Sequence, residues 1–99
     1  MTPEEFRQSA ARDAAPAKGM SAALQALWHD ARGDWDAAHD CAQAAAGRDG
    51  DWVHAYLHRK EGDAGNAAYW YAKARRAMPV AAVALETEWA DIARELLAR

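Results

Sequence analysis

The chain has 99 residues, a length suited to one domain with one modest core and too short for a core plus a separate catalytic domain. A net charge of -3 argues against a general nucleic-acid surface, which would be basic, and a single cysteine, Cys41, excludes an internal disulfide framework. Alanine supplies 28 residues, Leu, Val and Ile are few, and five Trp and three Tyr provide the bulk, so the fold class is all-α, with aromatic rings filling the gaps between closely approaching helices.

The elements follow in order. Thr2 caps a first helix reaching about Ala15, with Pro3 at its first position and Glu4 and Glu5 complementing its dipole. This acidic start is unlike a secretory signal, and no apolar run is long enough to span a bilayer, so the expected location is the cytoplasm, without a membrane partner. Pro16 and Gly19 break the chain. A second helix is expected from about Met20 to Arg32, and a third from Asp34 or Trp35 to Ala46, ending at Gly47. The fourth is expected from Asp51 to Glu61, the fifth from Ala64 to Ala77, and the sixth from Pro79 to about Ala98. The single domain, 1–99, thus divides into a helix and break (1–18), two helical hairpins (20–47 and 51–78) and a C-terminal capping helix (79–99).

The two hairpins repeat. Ala26–Ala45 aligns with Ala55–Ala74 at an offset of 29, matching Ala26/Ala55, His29/His58, Gly33/Gly62, Asp34/Asp63, Ala38/Ala67 and Ala45/Ala74. The Gly-Asp pair falls at the same turn in both copies.

Gly62-Asp63 followed by Ala67, Tyr71, Ala74 and Pro79 resembles the second half of a tetratricopeptide repeat, and Gly33-Asp34, Ala38 and Ala45 carry the same pattern. Trp52, Ala55 and Tyr56 are similar to positions of that repeat's first helix. The likeness spans roughly Met20 to Pro79. It departs in its shorter period, its two copies, and the Ala42 that stands at the aromatic position of the first copy. The runs Leu27–Trp35 and Trp52–Asp63 also resemble a family of small bacterial proteins without assigned function. The tetratricopeptide likeness implies two antiparallel hairpins whose first helices line a concave groove, with a terminal helix capping the stack.

On a helical wheel Trp52, Val53, Ala55, Tyr56 and Leu57 share one broad face of the fourth helix, and His54, His58 and Glu61 fall opposite. If His29, His54 and His58 face the implied groove, with Asp30, Arg59 and Lys60 at its rim, the groove suits a peptide or an acidic group from a protein partner. Tyr69, beside Asn66, is left at the edge of the fifth helix because Tyr69-Trp70-Tyr71 is too wide for one stripe. Trp28 and Trp35 flank the first turn and read as staples of the hairpin.

His54 and His58, four residues apart, can share a metal, but no His-Glu-x-x-His motif or second ligand pair accompanies them, so no metal or other cofactor is expected. Catalytic signatures are missing as well. The leading expectation is therefore a protein- or peptide-binding adaptor module. The alternatives are a small metal-binding or hydrolytic protein using His29, His54 and His58, and a homo-oligomer that buries its surplus aromatics between chains.

Overall fold

The computed structural model describes the whole chain, Met1–Arg99. Thr2 opens α1 (Pro3–Arg12) through a capping box: its hydroxyl accepts from the Glu5 amide at 3.1 Å, and the Glu5 carboxylate accepts from the Thr2 amide at 2.8 Å. Five further helices follow: α2 (Ala22–Ala31), α3 (Trp35–Ala44), α4 (Arg48–Lys60), α5 (Ala64–Ala74) and α6 (Leu85–Leu97). There is no strand, and no helix is long and apolar enough to cross a membrane.

The 29-residue offset is a repeat of geometry. Gly33 and Gly62 take φ of 86° and 88°, left-handed conformations that a side chain would strain. The amides of Asp34 and Asp63 then return to the carbonyls of His29 and His58, each at 3.0 Å. Both carboxylates cap the next helix, accepting at 3.1 Å from Ala37 and Asn66. Ala26 and Ala55, and Ala38 and Ala67, are fully buried where the helices of each hairpin meet.

Four boundaries differ from expectation by three residues or more, the first being the end of α1 at Arg12 rather than about Ala15. α4 begins at Arg48, with Gly47 as its cap instead of Asp51, because Asp49 and Asp51 complement the dipole from inside the first turn. Its buried Gly50 lies against Ala45, where a Cβ would come within 2.6 Å of the Ala45 Cβ. α5 stops at Ala74, since Arg75 turns left-handed at φ 58°. Pro79 does not open α6. No side-chain cap precedes it, and residues 76–84 run as an irregular strap, held where the Arg59 guanidinium donates to the Val83 carbonyl.

α4 is the centre of the molecule. It packs on α2, α3, α5 and α6, and every residue from Trp52 to His58 is buried. α6 lies across α2 and α4 with α1 beside it. Trp89 of α6 donates its indole N–H to the Leu27 carbonyl at 3.1 Å and packs on Phe6 of α1 at 5.7 Å. Buried Glu88 accepts from the Tyr71 hydroxyl and, at 2.8 Å, from Arg59. The indole nitrogens of Trp28 and Trp35 reach Ser9 of α1 and the Leu57 carbonyl of α4. These two rings therefore tie the first hairpin to its neighbours; they do not staple it internally.

Candidate metal centre

The wheel placed His54 and His58 opposite the apolar face of α4, and the structure buries that side as well. α4 is flanked by α3 on one side and α5 on the other, so it has no solvent face, and the two imidazoles are 3% and 6% exposed. His29 is not with them. It lies half-buried on α2, where its ring meets Trp28 edge-on at 5.2 Å. α2 has no second hairpin beyond it, so the repeat-equivalent position stays near the surface.

The third histidine of the cluster is His39, on α3. Its Nε2 lies 3.0 Å from the Nε2 of His54. One nitrogen from each of His39, His54 and His58 falls within 4.8 Å of the others. Two nitrogens bound at the usual zinc distance to one tetrahedral ion stand about 3.3 Å apart, so a small closure or opening of the rings accommodates an ion. His58 already has its Nδ1 engaged by Glu61 at 2.6 Å, which leaves Nε2 as its free ligand atom. A carboxylate behind a histidine in this way fixes the ring and raises its basicity as a ligand.

Aromatic rings frame the cluster. Trp35 stacks on His39 with centroids 4.9 Å apart, and Trp70 stacks on His54 at 3.9 Å. His54 and His58 stack on each other at 4.8 Å. Burial, followed by the charges of His39, His58 and Lys73, pushes the His54 pKa down to about 4. Its imidazole is therefore neutral at pH 7, the form that binds metal. Cys41 lies outside the cluster, and burial and Asp40 raise its thiol pKa, which disfavours the nucleophilic thiolate.

The remaining predicted site residues are dispersed. Asp30 is 4% exposed, because it accepts from Lys60 at 2.8 Å and from the Tyr56 hydroxyl at 3.1 Å, joining α2 to α4. Asp30 and Lys60 pair across α2 and α4 and, with Arg7, Tyr56 and Trp89, line a cleft of about 270 Å³, while Arg59 is engaged with Glu88 and the Val83 carbonyl. Asn66 is exposed in the first turn of α5. Tyr69 is 58% exposed, at the edge where the sequence put it.

Sequence reasoning overlooked His39. A signal was available: Ala46-Gly47 lies midway between positions 39 and 54, so folding α3 back on α4 at that turn sets the two histidines opposite each other. No family model matches the chain, and no curated protein and no solved structure matches it.

Proposed function

We propose that the protein binds one divalent transition-metal ion through His39, His54 and His58. The observation that carries this reading is the convergence of three imidazole nitrogens within 4.8 Å of one another. The neutral state of His54 and the carboxylate behind His58 support it. Imidazole ligands suit zinc, copper and nickel more than calcium or magnesium. Three protein nitrogens leave one position of a tetrahedral ion for water or an exogenous ligand, the arrangement of exchanging and catalytic sites rather than of closed structural ones.

The test is zinc titration by calorimetry, together with the visible spectrum of the cobalt(II) form. One equivalent of zinc and the intense bands of four-coordinate cobalt are expected for the wild type. His39→Ala and His54→Ala should abolish both, and His29→Ala should leave both intact. Absence of stoichiometric binding by the wild type, or equal losses in all three variants, would sink the proposal.

A further inference from the structure

At the opposite end of α4 from its histidines, four arginines converge. Arg48, Arg75, Arg76 and Arg99 line a cleft of about 300 Å³ together with Asp49 and Ala74. This concentration of positive charge stands out in a chain whose net charge is -3. Two of the four are engaged. Arg76 pairs with Glu95, and Arg99 pairs with Glu95 at 2.9 Å and with Asp49 at 3.1 Å. Arg48 and Arg75 have no carboxylate partner, so the cleft retains uncompensated guanidinium charge.

The cleft is built from parts the fold holds in place. Arg76 lies over the Trp52 ring at 3.9 Å, so its guanidinium is anchored on the face of a buried aromatic. Arg75 is the one non-glycine residue with positive φ, and this turn directs the chain out of α5 at the cleft wall. Guanidinium groups in convergent array recognise planar or tetrahedral oxyanions through paired N–H donors, and phosphate above all.

We infer that this cleft binds a phosphoryl dianion, supplied either as free phosphate or as a phosphate monoester. Arg48 and Arg75 are the groups with charge to give. Arg76 and Arg99, already held by carboxylates, frame the opening.

Backbone amide NMR of the 15N-labelled protein tests this, with inorganic phosphate, O-phosphoserine and serine as probes against sodium chloride of matched ionic strength. Saturable shifts centred on Arg48, Asp49, Arg75 and Arg76 are expected with phosphate or O-phosphoserine, and none with serine. Tighter binding of O-phosphoserine identifies a monoester as the source, and tighter binding of inorganic phosphate identifies the free ion. Arg75→Gly is the informative variant, because glycine accepts the left-handed backbone and the fold is retained. It should weaken binding about tenfold, the scale of one charge-assisted hydrogen bond, while Arg75→Lys weakens it less. The inference is overturned if no saturable shift appears at millimolar probe, if chloride reproduces the shifts, or if Arg75→Gly and Arg48→Gln both bind as the wild type does. Metal binding at the histidines does not enter this experiment.

Discussion

His39 and His54 stand fifteen positions apart, yet their Nε2 atoms meet at 3.0 Å across the α3–α4 interface. A hydrogen bond between two neutral imidazoles needs one N–H and one lone pair. The proposed ion would take a lone pair from each ring, so its entry would require one ring to change tautomer.

Glu61 orients His58, so Glu61→Gln is expected to weaken zinc binding by about 10- to 100-fold. The side chain is 37% exposed and the helix should be undisturbed, which circular dichroism checks alongside calorimetry. Unchanged affinity would show that Glu61 has no part in the site.

Stability should fall with acid in a definite window. Folded His54 titrates at about 4 and its unfolded reference is 6.5, so between these values the unfolded chain binds the extra proton. The contribution from the neutral imidazole is complete above pH 6.5 and is lost as pH drops towards 4. Urea unfolding of wild type and His54→Gln from pH 7 to 4 measures it. The wild-type curve should be the steeper, and parallel curves would show that His54 is not the group responsible.

Two glycines should respond with opposite sign. Gly50→Ala forces a Cβ against Ala45 and is expected to cost about 1–3 kcal/mol through overpacking. Gly65, in the first turn of α5, has open space around it, and Gly65→Ala should stabilise by about 0.4–1 kcal/mol. Denaturant midpoints of the two variants decide both statements.

Tyr71→Phe removes a hydroxyl donor from a carboxylate that is 5% exposed, so it should cost about 1–3 kcal/mol. Tyr69→Phe, at the surface, should stay within about 0.5 kcal/mol of wild type. Equal effects at the two positions would mean that the Glu88 network adds no stability.

The helices and their turns were legible because they are locally encoded. Thr2, Asp34 and Asp63 are caps whose geometry depends on three or four neighbouring residues, and Gly33 and Gly62 end helices for reasons internal to the turn. The start of α6 was misplaced because Pro79 is compatible with a first helical position but does not by itself create one, and the helix begins instead at Leu85 behind Ala84.

The site was only half legible, for a tertiary reason. A wheel divides one helix into an inside and an outside, and α4 has neighbours on both. His54 and His58 were noticed, but their burial depends on Trp35, His39 and Trp70 arriving from α3 and α5. Asp30, Arg59 and Lys60, read as a rim, are charged residues whose partners lie on other helices, a pairing that one helix at a time does not display.

The enclosure of α4 also sets the order in which the molecule opens. Amides along Trp52–His58 are shielded by surrounding helices, while α1 and α6 can part from the rest at lower cost. Hydrogen exchange should therefore be slowest in α4, approaching the rate of global unfolding. His54 and His58 belong to that last-opening unit, and His39 comes from an outer helix, so an ion bridging them would bind the periphery of the molecule to its most persistent element.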